Sequence, residues 1–121
     1  MAEILETGYR DLRQYVFDNW RYVALENENG TEITRIAWND HRLSITYTEG
    51  QPAIRLDLTV KGSDHDLSAH IPMLFGSVSI YKNFSGGLPL ARDEFNPLIP
   101  VNNIHAEIRI DQYIEVPRIT Y

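Results

Sequence analysis

The stretch Leu43 to Val60, LSITYTEGQPAIRLDLTV, carries the cleanest two-residue period in the chain. Leu43, Ile45 and Tyr47 share one parity with Ser44, Thr46 and Thr48 on the other, and Ile54, Leu56, Leu58 and Val60 alternate with Ala53, Arg55, Asp57 and Thr59. Successive side chains of a strand point to opposite faces, so both runs read as half-buried strands. Between them stands Glu49-Gly50-Gln51-Pro52. Glycine accepts positive φ and proline cannot extend a central ladder, which makes this tetrapeptide a turn and the whole stretch a β-hairpin.

Upstream the period changes. Tyr9, Leu12, Val16 and Trp20, with Tyr15 and Phe17 beside them, recur at spacings of three and four and predict an amphipathic helix within residues 1–20. Thr7 is the expected N-cap, Leu12, Val16 and Trp20 the expected buried stripe, and Arg10, Asp11, Arg13, Gln14, Asp18 and Asn19 the wet side. Tyr22 to Glu26 and Glu32 to Trp38 then alternate as strands around Asn27-Glu28-Asn29-Gly30, whose Asn-Gly pair is a strong hairpin signal. A second turn, Asn39-Asp40-His41-Arg42, leads into the central hairpin, so residues 21–82 read as an antiparallel meander.

Downstream, Lys61 to Asp66 is a polar break, Leu67 to Ile71 a short strand ended by Pro72, and Gly76 to Tyr81 a further strand. Residues 83–100, NFSGGLPLARDEFNPLIP, hold two adjacent glycines and three prolines and read as a long loop with at most a helical turn near Arg92 to Phe95. Residues 101–121 read as a C-terminal strand and tail: Ile104, Ala106, Ile108, Ile110, Ile114 and Val116 share one parity, with a bulge expected at Gln112 and Tyr113 and pairing stopped by Pro117. The expected fold is one α+β domain, mainly antiparallel β, with the N-terminal helix packed on a β-sandwich or partly open barrel of seven or eight strands.

Composition narrows the chemistry. The 121 residues are enough for a core without covalent staples, and the absence of cysteine removes disulfides, thiolate nucleophiles and cysteine-based zinc sites. No apolar run approaches the roughly 20 residues that span a bilayer, and no basic start precedes an apolar run, so neither a membrane partner nor a signal peptide is expected. A formal charge of −6 opposes binding to phosphate backbones, and nucleic acid is not expected as a partner.

No sequence pattern of a nucleophile elbow, a phosphate loop or a dinucleotide fingerprint is present. Asp64, His65, Asp66 and His70 form the densest group of metal-type donors and support the reading of a metal-dependent enzyme, but they match neither H-E-x-x-H nor the calcium loop, and a solvated turn is the simpler account. His105 reads as a surface imidazole on a strand, and Asp93-Glu94 as a capped helical turn. A non-enzymatic protein with no catalytic residues, no metal and no cofactor is therefore expected. Aromatic residues allow another reading, a saccharide-binding module using Trp38, Tyr81, Phe84 and Phe95; Tyr47 shares its parity with Leu43 and Ile45 and reads as core.

Four stretches, Tyr15 to Trp20, Glu28 to Ile36, His41 to Gly62 and Ile114 to Ile119, give the chain a pattern that resembles small β-rich virion proteins of tailed bacteriophages or prophages, encoded among tail and neck components. The resemblance implies a part that works by homo-oligomerising or by docking onto other virion or assembly proteins. It places the protein in the virion if phage-encoded and otherwise in the cytoplasm. It carries over no catalytic or metal residue. The residues expected to dock are Phe84, Leu88, Phe95 and Leu98 of the long loop, with Arg118 and Tyr121 of a tail free to add a strand to a partner.

Overall fold

Alternation in the sequence becomes two facing sheets in the computed structural model, which describes residues 2–118. The helix α1 (Glu6–Asn19) is followed by β1 (Tyr22–Asn27), β2 (Glu32–Ala37), β3 (Leu43–Tyr47), β4 (Ala53–Lys61), β5 (Met73–Tyr81), β6 (Ala91–Val101) and β7 (Glu107–Glu115). One sheet has the order β2-β1-β5-β6 and the other β3-β4-β7, with every pairing antiparallel. The described residues are thus α+β, a helix on a seven-stranded β-sandwich.

The hairpin of Leu43 to Val60 forms as its pattern requires, with Leu43 opposite Leu58, Ile45 opposite Leu56 and Tyr47 opposite Ile54. Leu56, Leu58 and Val60 are each 2% exposed and meet Val23, Leu25, Phe75, Val78 and Ile80 of the facing sheet in one core. β7 adds Ile108, Ile110 and Ile114 to that core. Among the described residues no helix is long and apolar enough to cross a membrane.

Several elements differ from expectation. The meander is broken after β2: β2 and β3 belong to different sheets, and Asn39 to Arg42 carries the chain across the sandwich. That crossing is fixed by ion pairing. Arg42, whose side chain is 10% exposed, binds Asp40 (2.8 Å), Asp66 (2.9 Å) and Asp64 (3.2 Å), and Asp66 also accepts a hydrogen bond from Thr34 of β2 (2.6 Å). Leu67 to Ile71 is not a strand; Leu67 is fully buried as a plug and Ser68–His70 is a single 3-10 turn.

The long loop is shorter than expected because Ala91–Val101 pairs with β5. There is no helical turn at Arg92 to Phe95. An edge strand leaves half its backbone N–H groups unpaired, so Pro97 and Pro100 are tolerated there. Ile99 faces Phe75 and Glu94 faces Ser77, so Phe95 to Leu98 bulge out opposite Gly76 alone. In β7 no bulge interrupts Gln112 and Tyr113, and Ile104 and His105 lie in the turn before the strand.

The helix turns a different stripe inward. Tyr9, Arg13 and Val16 are buried and Trp20 half-buried, whereas Leu12 is 44% exposed. Arg13 tolerates burial because its guanidinium donates to the Val116 carbonyl and to Glu6, each at 2.9 Å. Leu5, not Thr7, occupies the N-cap position, and it makes no side-chain cap. Tyr47 is half-buried, with its ring 6.0 Å from that of Phe17.

Two outcomes test this frame. Leu56→Asp places an unpaired charge on the buried face of β4 and should cost more than about 4 kcal/mol, leaving no cooperative transition in a thermal melt followed by circular dichroism. The hydrogen bonds from Arg42 hold the Asp40 carboxyl down at about 2. A depressed folded-state value stabilises above the unfolded value, near 4, and the benefit is lost as pH falls through the folded value. Asp40→Asn should therefore melt lower than wild type at pH 7 and lose less stability between pH 4 and pH 2.

Candidate docking site

The outward face of the four-stranded sheet is covered in an unusual way, and that covering builds the site. Tyr22, Ala24 and Glu26 of β1 point away from the core by alternation, yet Ala24 is fully buried and Glu26 only 2% exposed. Two arginines from flanking strands account for this.

Arg35, on β2, is the cross-strand neighbour of Ala24. Its guanidinium lies 3.6 Å from the ring centroid of Tyr81, on the far side of β1, so its side chain must run across the small Ala24. There it donates to the carbonyls of Asn83 (3.0 Å) and Gly86 (2.8 Å) and pairs with Glu32 at 2.6 Å. The side chain of Arg35 is 7% exposed. A buried guanidinium with its donors engaged and its face on an aromatic ring is a rigid brace.

Arg92, at the root of β6, forms the second brace. It donates to Glu26 Oε1 (3.1 Å), Glu26 Oε2 (3.2 Å) and Ser79 Oγ (2.9 Å), while Ser77 and Ser79 each donate to Glu26 Oε1 at 2.7 Å. Burial pushes the Glu26 carboxyl up, but the hydrogen bonds of Ser77, Ser79 and Arg92 outweigh it and hold the group below the usual carboxylate range.

Between these braces runs the loop Lys82 to Leu90, closed at its end by Leu90 N–H donating to the Ile80 carbonyl at 2.8 Å. Gly86 and Gly87 hold φ of +66° and +77°, which side chains rarely adopt, and a Cβ on Gly87 would meet Asn83 Nδ2 at 2.9 Å. Lys82 hydrogen-bonds the Tyr15 hydroxyl and lies over that ring, joining the loop to the exposed side of α1 where Leu12 also stands. On this fixed backbone, Phe84 is 76% and Leu88 85% exposed, above every other large apolar side chain among the described residues.

The six residues expected to dock separate into different places. Phe84 and Leu88 share the braced loop. Phe95 and Leu98 lie in the β6 bulge opposite Gly76, which begins ~17 Å along the strand from the loop's end at about 3.3 Å per residue. Phe95 packs half-buried against the core, and Leu98 is 40% exposed. Arg118 is exposed beyond the end of β7. Tyr121 lies outside the described residues.

The aspartates of the proposed metal cluster, Asp64 and Asp66, both turn onto Arg42, and His65 and His70 are exposed. No group of three or more His, Cys, Asp or Glu side chains among the described residues is arranged to hold a metal ion. The two braces escape sequence reasoning because each links residues distant in the chain. Their local traces are a glutamate directly after the apolar run of β1 and serines alternating with Val78 and Ile80 in β5. Comparison with protein-family models, curated proteins and solved structures finds no match for this chain.

Arg35→Ala should remove hydrogen bonds from a charged donor worth about 1–3 kcal/mol and release the loop locally. Amides of Asn83 to Gly87 should then exchange roughly 5- to 100-fold faster, with those of β4 unchanged, in a hydrogen-exchange experiment.

Proposed function

We propose that the chain is a non-enzymatic assembly protein that docks onto a partner protein through the loop Lys82 to Leu90. The observation that carries this reading is the display of Phe84 and Leu88 on a backbone held by Arg35. Large apolar groups left in water cost free energy unless a partner covers them, and an aromatic anchor on a rigid loop binds without an ordering penalty. The resemblance to small tail and neck proteins supports a tailed-phage or prophage virion as the setting, with other virion proteins as partners.

The experiment is co-expression with the products of the neighbouring genes, followed by affinity capture. A complex with one of them should form, and Phe84→Ser with Leu88→Ser should weaken it by at least ~2 kcal/mol, about 30-fold, with the melting temperature of the free protein unchanged. Binding that survives the double substitution would sink the docking role of this loop.

A second reading rests on a different place. The outer face of the smaller sheet carries a depression of about 500 Å³ lined by Thr46, Gln51, Arg55, Tyr113 and Glu115 among others. Tyr113 is 56% exposed there, and an open aromatic face among hydroxyl, amide and carboxylate groups suits a neutral saccharide. A glycan array with wild type and Tyr113→Ala separates this reading from docking, because only a saccharide site gives hits that vanish with the ring.

A further inference from the structure

The strand β7 ends the sheet order β3-β4-β7, so among the described residues one of its long edges has no neighbour in that sheet. Which backbone groups face that edge follows from two hydrogen bonds at its ends. Val116 N–H donates to the Pro52 carbonyl (2.8 Å) and Gly62 N–H to the Ala106 carbonyl (2.9 Å). Even-numbered residues of β7 therefore face β4, and by alternation Glu107, Arg109, Asp111, Tyr113 and Glu115 turn their N–H and C=O groups outward. Side chains of the same odd residues stand on the outer face of the sheet.

An exposed edge is normally blunted by proline, lysine, a bulge or a very short strand. The opposite sheet follows that rule at β6, with Pro97, Pro100 and the excursion of Phe95 to Leu98. β7 has no proline, no lysine and no break in its register with β4, and the charges it carries at the edge, Glu107, Arg109, Asp111 and Glu115, are of both signs, so they repel a strand of one charge and complement a strand of alternating charge.

We propose that β7 pairs antiparallel with β7 of a second copy about a two-fold axis at Ile110, joining two three-stranded sheets into one of six strands. Charge, strand overlap and the inner-face pair together select this register. Centred on Ile110, Arg109 of each copy lies opposite Asp111 of the other, and Glu107 lies opposite Tyr113. All these pairs are of the kind that exchanges both N–H···O=C bonds, and Ile110 meets Ile110 on the inner face. Centring on Arg109 or Asp111 sets identical charges against each other. Centring on Gln112 pairs Arg109 with Glu115 but sets amide against amide on the inner face in place of Ile110 against Ile110, and brings Glu107 to Pro117, which has no N–H to give; centring on Ile108 pairs Glu107 with Arg109 but overlaps only residues 107–109 of the two strands.

A second feature at the same edge favours an incoming cation. Asp111 stands directly opposite Asp57 of β4, two carboxyls side by side; Arg55 pairs with Asp57 at 3.1 Å, and Asp111 has only the looser contact with Arg109 of its own strand, at 3.7 Å. Arg109 is 69% exposed and free to swing to a neighbouring strand. Its counterpart from a second copy would add positive charge beside that acidic pair. This contact is independent of Phe84 and Leu88, since it uses the other sheet.

Sedimentation equilibrium of the full chain from micromolar to several hundred micromolar tests the pairing. Wild type should dimerise; Arg109→Asp and Asp111→Arg should each raise the dissociation constant at least about 10-fold, and the double variant should return to within about 3-fold of wild type. Arg109→Pro removes an N–H that faces the free edge, so it should abolish the dimer while the thermal transition stays cooperative. A monomeric wild type, a dimer indifferent to the single reversals or to Arg109→Pro, or a folded double variant that stays monomeric would each overturn the proposal.

Discussion

A carboxylate that is 3% exposed can stay ionised in a protein only if its oxygens are saturated with donors, and Glu26 meets that condition on the outer face of a sheet rather than in the core. Its neighbours are dictated by this need. Ser77 and Ser79 supply hydroxyls from β5, and Arg92 supplies a charge from β6, so three strands are tied across their outward side. The carboxylate thus determines where β6 must begin. Because β6 starts at Arg92's neighbour Ala91, the connection from β5 is confined to Lys82 to Leu90.

Ala24 sets the second half of the same arrangement. A larger side chain at this outward position would block Arg35 from crossing β1 to reach Tyr81 and the loop carbonyls. The strand β1 is therefore buried on both faces, with Val23 and Leu25 inside and Ala24 and Glu26 beneath arginine side chains. Apolar burial fixes the sandwich; polar burial on its outside fixes the loop. The two sheets consequently divide their labour, one carrying a braced loop with apolar tips and the other an open polar face with an unblunted edge.

How much of this was legible in the sequence depends on the range of the interaction. The hairpin at Leu43 to Val60 follows from period two and a turn with Gly50 and Pro52, both local, and its register is the one the pattern dictates. The break between β2 and β3 is not local, because it rests on Arg42 meeting Asp64 and Asp66 from a later loop. Pro97 and Pro100 made β6 read as loop, since proline signals the absence of a central strand but is silent about an edge. The charge of Arg13 points to water, but its place at i+4 from Tyr9 and three before Val16 is the inner stripe, and a carbonyl beyond β7 provides its partner.

For the candidate site the same distinction holds. Phe84 and Leu88 stood out because apolar residues in a glycine- and proline-rich segment have no strand or helix to bury them, a local inference. Phe95 and Leu98 share that segment in sequence, but pairing of β6 with β5 carries them down the sheet to a bulge where Phe95 packs against the core. Exposure alone would not single out the loop, since Ile4 and Leu5 are also exposed, 49% and 62%. What separates Phe84 and Leu88 from these is the backbone beneath them, hydrogen-bonded to a buried arginine. Ordering a flexible loop on contact subtracts from affinity, whereas a loop ordered beforehand keeps the whole gain of covering its side chains. The brace of Arg35 is thus the feature that turns two exposed apolar residues from a solubility cost into a surface suited to binding.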